Sequence, residues 1–292
     1  MATATATSPD FNAEPIGRWG EEKEFVVERE SLVRYALATG DDHPRHRSGD
    51  LAPPVFAAVP AMKVCDPIAQ RVIPNDEVRM SGLHGEQDFR FHRPIEPGMR
   101  LISRAFGVGF RPVGAGVTIT VKGVTHTPDG ELVVEQFVTV IMRKAHTSKQ
   151  VGGDKPEFDV PAALLQAPPV AVFDRTFEPD TPTRYAHASG DFMPIHTDDE
   201  FARRAGLPGI INHGLCTLAF ATRGLIRHTC GDDPTRLKRL AVRFSRIVQP
   251  SEVLTTTVWD AGGRGDRQAY AFESAVDGGA AALRNGLVEV AS

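Results

Sequence analysis

One twelve-residue pattern occurs twice in the chain. Residues Tyr35 to His46 read Y-A-L-A-T-G-D-D-H-P-R-H, and Tyr185 to His196 read Y-A-H-A-S-G-D-F-M-P-I-H, at a constant offset of 150. A second match follows in the same order: Phe91-His92-Arg93-Pro94-Ile95-Glu96-Pro97 aligns with Phe244-Ser245-Arg246-Ile247-Val248-Gln249-Pro250 at an offset of 153. A chain that repeats itself builds the same unit from each copy, so two copies of one fold are expected. A length of 292 residues gives each copy the size of an ordinary domain. Between them, Thr147 to Pro169 is rich in Gly, Pro, Asp and Lys without sustained periodicity, the composition of a connection. The expected division is residues 17–146, a linker over 147–169, and residues 170–292.

Each copy reads as a short strand, a helix carrying the Y-A-x-A segment, a Gly-Asp-x-x-Pro loop, a further helix and then several strands. Val117 to Val121 and Leu132 to Ile141 in the first copy, and Arg239 to Ile247 and Leu254 to Trp259 in the second, are rich in β-branched residues and bounded by Pro or Gly. Strands outnumber helices late in each copy, which favours α+β halves with an antiparallel sheet on a long helix over alternating βαβ units. The central helix of the second copy is predicted over Gly214 to His228. Leu215, Leu218, Ala219, Thr222, Leu225 and Ile226 recur at helical spacing, and Ala219, Ala221 and Gly224 permit close approach to a sheet.

Composition narrows the partners. The formal net charge is −4, from 33 basic and 37 acidic residues well interspersed, so nothing draws in nucleic acid or an anionic membrane. Cys65, Cys216 and Cys230 lack C-x-x-C spacing, which argues against a disulfide framework or zinc site and suits a reducing cytoplasm. His84, His92, His126 and His146 have no metal-ligand spacing, and no metal is expected. The glycines from Gly109 to Gly116 form no dinucleotide fingerprint and read as a hairpin turn. The Met1 to Thr7 run has neither a basic region nor a long apolar core, and reads as a frayed terminus without a membrane span.

The chemistry-bearing segment is Gly190-Asp191-Phe192-Met193-Pro194-Ile195-His196, followed further along by His213-Gly214 at a predicted helix start. Alone, Gly-Asp before Pro is an ordinary turn and a lone His an ordinary core or surface residue. Together the segments hold more. An Asp and a His on a Pro-stiffened loop can face one water and move protons both ways, and the N–H of Gly214 can serve a developing oxyanion. Arg203-Arg204 and Lys238-Arg239 are candidates for meeting coenzyme A phosphates, or solvated faces.

With these residues the second half resembles the MaoC-like dehydratase and (R)-specific 2-enoyl-CoA hydratase family, whose motif is approximately [YF]-x-x-x-[ST]-G-D-x-N-P-[LIV]-H with a downstream H-G-[ML]. Tyr185, Ser189, Gly190, Asp191, Pro194, Ile195 and His196 match it, as do Ile211, His213, Gly214 and Leu215. Met193 stands where the family has Asn. The first half, through Leu83 to Gln87 and Phe91 to Ile95, resembles the degenerate N-terminal half of the two-domain enzymes. The resemblance implies a double hotdog, in which each half wraps an antiparallel sheet around a central helix. It makes Asp191 and His196 the catalytic pair, Gly214 the oxyanion donor, and His213, Met193 and Ser189 further oxyanion- or substrate-binding residues. The implied reaction is reversible hydration of a 2-enoyl thioester to the (R)-3-hydroxyacyl form, with no cofactor. Partners would be an acyl-CoA or acyl carrier protein thioester and, at most, a second copy of the chain as a homodimer. The rival readings are a hotdog thioesterase and a non-catalytic thioester-binding partner of an active homologue. In the first half Asp41 and His46 retain the pair. At the spacing that carries His196 to His213-Gly214, however, His46 leads to Lys63-Val64, and His84-Gly85 opens a strand. That half is therefore expected to shape the acyl pocket without catalysing.

Overall fold

A computed structural model describes residues 10–143, 145–277 and 279–291; the Met1 to Thr7 run lies outside the described residues. The first half runs β1 (Lys23–Val26), α1 (Arg29–Ala38), α2 (Pro44–Arg47), α3 (Ala58–Val72), α4 (Asp76–Met80), β2 (Gly82–Phe91), β3 (Arg100–Val113), β4 (Gly116–His126) and β5 (Leu132–Arg143). A short strand β6 (Val151–Gly152) follows. The second half runs β7 (Ala171–Thr176), α5 (Thr181–Ser189), α6 (Asp199–Arg204), α7 (Gly214–Thr229), β8 (Leu237–Phe244), β9 (Val253–Arg264), β10 (Arg267–Val276) and β11 (Ala281–Ala291).

Sheet order shows the duplication directly. The strands run β1-β3-β4-β5-β2-β8-β11-β10-β9-β7, so each half uses the same order and the two meet edge to edge at β2 and β8. Across that antiparallel seam Asp88 pairs with Ala241, two positions that the second repeat offset makes equivalent. A position paired with its own copy marks a pseudo-two-fold axis. The same axis brings Tyr35 and Tyr185 together, hydroxyl to hydroxyl at 3.3 Å, both buried. One apolar cluster runs through both halves, from Leu32 and Phe56 to Leu218 and Val288, and a second lies under α3 in the first half.

The helix predicted over Gly214 to His228 is α7, which continues to Thr229 and is buried along most of its length. Its small residues do what their size allows: a Cβ on Gly224 would fall 2.0 Å from the Phe173 ring of β7. The strand predicted over Arg239 to Ile247 ends at Phe244. The glycine run divides. Gly114 lies in the β3–β4 turn as expected, whereas Gly109 is inside β3 and pairs with Gly152 of β6. A Cβ there would meet the Val151 carbonyl oxygen at 2.6 Å, so only glycine admits this strand. The segment from 147 to 169 is accordingly fastened rather than loose. Lys155 pairs with Glu86 at 2.6 Å, Asp159 with Arg243 at 3.1 Å, and Phe158 is buried beside Ala241 and Leu287.

Candidate active site

Helix α5 stops at Gly190, whose φ of 82° lies in the left-handed region and turns the chain into the Asp191 loop. Pro194 then opens a single 3-10 turn, Pro194–His196, with φ preset for it. This is the loop stiffness that the Pro-x-His spacing implied. Asp191 projects half-exposed, while His196 is buried beneath it. The carboxylate is oriented by main chain, Met193 N–H donating to Asp191 Oδ1 at 3.1 Å, and the loop is held by Asp191 N–H donating to the Ser189 side-chain Oγ at 3.2 Å. Because the contact from residue 193 comes from its amide, the loop keeps this support with Met in place of Asn.

His196 Nδ1–H donates to the Ile211 carbonyl at 2.8 Å, which leaves Nε2 with its lone pair. His213 Nε2–H donates to the Asp191 carbonyl at 3.0 Å, and its ring stacks on that of His196 with centroids 3.7 Å apart. Burial lowers the pKa of His196, and burial with the adjoining His196 ring pushes His213 down to about 3, so both rings are neutral near pH 7. Donor atoms of Asp191, His196 and His213 lie within 4.8 Å of one another. One water making two hydrogen bonds of about 2.8 Å spans such a gap. A metal ion fits it poorly, because stacked rings direct their lone pairs along near-parallel planes instead of converging on one point. Gly214 opens α7 with His213 as N-cap, so its N–H has no acceptor within the helix, and its missing Cβ keeps a 3.2 Å approach to Phe244 open. The structure thus gathers Asp191, His196, His213, Gly214, Met193 and Ser189 around one loop and one helix start.

The first-half copy is built differently. Asp41 Oδ2 bonds His46 Nδ1 at 2.7 Å with both side chains buried, and His46 Nε2 is buried with no partner among the described residues. Arg223 of α7, itself buried, faces Asp41 at 3.6 Å and pairs with Asp42 and Asp232. Lys63-Val64 is not the counterpart of His213-Gly214, contrary to the sequence expectation. Ala52 N–H donates to the Ile95 carbonyl as Asn212 N–H donates to Val248, so Ala52 corresponds to Asn212 and Pro53-Pro54 to His213-Gly214. The second half has inserted α6 before its central helix, and a spacing carried over from it to His46 therefore overshoots. Proline has no N–H, so Pro54 removes the donor that Gly214 supplies.

Two first-half residues reach the second-half site without having been expected there. The ring of His84 in β2 packs edge-on against Phe244, 4.8 Å between centroids, and burial pushes its pKa down to about 4. Asp66 of α3 keeps solvent on its outer side, yet it lies deep enough among protein atoms, and close enough to Asp191, that its carboxyl is pushed up to about 7. His84 lies in the Leu83 to Gln87 segment of the first-half resemblance, but no local pattern assigns either residue to this site, because both arrive from the other half. Of the candidate phosphate ligands, Arg203 and Arg204 pair with Asp199 and Glu200 one turn away. Arg239 pairs with Asp88 at 2.9 Å and with Glu289, and Lys238 donates to the Thr235 carbonyl at 3.0 Å.

Comparison with known proteins bears on the two halves and on the fold. Residues 160–277 match the MaoC-like domain family, and residues 14–136 match the dehydratase domain region described as FAS1-like. The second half thus carries a MaoC-like dehydratase domain and the first half a FAS1-like dehydratase region, and the fold is a double hotdog. It is 33% identical over 184 residues to a peroxisomal enoyl-CoA hydratase 2 of Arabidopsis thaliana, covering 61% of this chain and 59% of that protein. A probable enoyl-CoA hydratase 2 of Dictyostelium discoideum is 26% identical over 245 residues, covering 81% and 82%. The crystal structure of a MaoC-like dehydratase from Phytophthora capsici superposes with a TM-score of 0.81 at 24% identity, over 96% of this chain and 99% of that one. No helix among the described residues is long and apolar enough to cross a membrane.

Proposed function

We propose that the protein catalyses reversible syn addition of water to a trans-2-enoyl thioester, giving the (R)-3-hydroxyacyl thioester, as a hydro-lyase acting on acyl-CoA or acyl carrier protein substrates. The observation that carries this reading is the opening of a half-exposed carboxylate, an imidazole with one free lone pair and a helix-start N–H onto one loop. A water held between Asp191 and His196 bonds through its oxygen to C3 while giving up a proton to the pair. The pair returns a proton to C2, and the charge that builds on the thioester oxygen is met by Gly214 N–H. His213 supports the loop through the Asp191 carbonyl. The Arabidopsis and Dictyostelium relatives support the same substrate class, since both are named as enoyl-CoA hydratases.

The test is a hydration assay on trans-2-enoyl-CoA esters of graded chain length, with chiral analysis of the product. Formation of the (R)-3-hydroxyacyl ester supports the proposal. Thioester cleavage without a hydroxyacyl product, or no turnover at any length, would overturn it.

A further inference from the structure

A concavity, partly open to solvent, lies away from the Asp191 loop. Three segments wall it, 51–54, 91–95 and 234–238. Under the pseudo-two-fold correspondence fixed by the seam register and by the Ala52 and Asn212 amide bonds, these are the counterparts of 211–214, 244–248 and 81–85, the segments that frame the catalytic cleft. The cavity is therefore the first half's own copy of that cleft. Its chemistry has been removed and its shape has not: Pro54 replaces the donor, and Asp41 and His46 are closed on one another beneath the surface.

The lining says what it would take. Ala52, Ile95 and Leu237 are buried apolar surface, with the half-buried Phe91 ring beside them. Also lining it are Arg93, which pairs with Glu131, and the half-buried Lys238, which has no carboxylate partner among the described residues. Lys238 corresponds to Gly85 in the catalytic cleft, so this cation belongs to the first-half cavity alone. An apolar floor under an unneutralised ammonium suits a molecule with an apolar chain at one end and phosphates at the other.

We propose that this cavity is a second, non-catalytic binding site for an acyl-CoA thioester, so that one chain binds two thioester molecules and turns over one. The proposal rests on the acyl-thioester reading of the catalytic site. It is tested by calorimetric titration of the intact protein with decanoyl-CoA, which has no C2–C3 double bond to hydrate, alongside the enoyl-CoA hydration assay. Two equivalents per chain are expected. Lys238→Glu should weaken one of them at least about tenfold, and Ala52→Trp, which fills the cavity, should abolish the same one; Lys238→Glu should leave hydration unchanged. One equivalent with normal hydration would overturn this proposal alone. Two equivalents that neither substitution alters would also overturn it. No binding and no hydration would instead overturn the reading of the catalytic site on which it depends.

Discussion

Two Asp–His pairs stand in equivalent loops of the two halves, and only one is arranged to act. Their sequence differences are small, yet the rings turn opposite ways. His46 points Nδ1 at Asp41, both side chains are buried, and Arg223 supplies the countercharge. His196 points Nδ1 at the Ile211 carbonyl instead, which keeps Nε2 and the Asp191 carboxylate from neutralising each other. An acid–base pair bonded to itself in the core is a structural element; the same pair held apart at a surface can exchange protons with a substrate. In both copies the carboxylate accepts an N–H from the residue two positions on, His43 or Met193, so the loop conformation is shared and the difference lies in what receives the histidine.

The sharpest way to break this comparison is to disable each pair in turn. Asp191→Asn and His196→Ala should each lower hydration by about 10²–10⁴-fold with circular dichroism unchanged, since each removes a positioned proton carrier. Near-wild-type turnover in either would end the assignment. Copying the first half's helix start into the second comes next. Gly214→Pro suits the first helical position but deletes the donor, and should cost about 10²–10³ in kcat, whereas Gly214→Ala keeps the N–H and should cost less than about tenfold. Equal losses in the two variants would point to crowding against Phe244 rather than to the N–H.

Smaller effects separate structural from chemical roles. Arg223→Ala strands buried Asp41 without its cation and should cost about 3–5 kcal/mol in denaturant unfolding. Turnover of a short enoyl-CoA by the folded fraction should stay within about twofold, because the partners of Arg223, namely Asp41, Asp42 and Asp232, lie outside the Asp191 loop. A large fall in kcat there would show that the first-half pair takes part in catalysis. The smallest effect concerns Asp66. Its folded pKa of about 7 lies above the unfolded carboxylate value, so its contribution to stability is complete at acid pH and is lost as pH rises through 7. Asp66→Asn should therefore raise the thermal midpoint at pH 8 by a few degrees relative to wild type and leave it nearly unchanged below pH 4. An equal shift at both pH values would remove the titration as its cause.

The duplication, the buried helix from Gly214 and the meeting of Asp191, His196 and Gly214 were legible in the sequence, because each rests on local pattern: a repeated motif, a helical period, a capped turn. What was not legible depends on insertions or on the other half. The inserted α6, which lengthens the path from His196 to its helix relative to the first half, hid the equivalence of Pro53-Pro54 with His213-Gly214. Arg223 meets Asp42 from the opposite half of the chain, and His84 and Asp66 approach the site from the other side of the pseudo-axis. The strand at Val151–Gly152 was missed because so short a run shows no alternation, and its pairing depends on a glycine in another strand.

The seam between β2 and β8 also bears on how the molecule assembles in time. Its register joins residues such as Glu86 and Arg243, far apart along the chain, whereas the β3–β4 and β9–β10 hairpins close over short turns. Loop closure over such a separation carries an entropic penalty that local hairpins avoid, and topologies rich in distant contacts fold slowly. Each hairpin can form before the halves have found one another. The Asp191 loop, by contrast, is flanked by Leu83, Met193 and Ile247 in one small apolar cluster drawn from both halves. Its surroundings are complete only once the seam has closed, so activity is expected to return late in refolding, after the hairpins have formed.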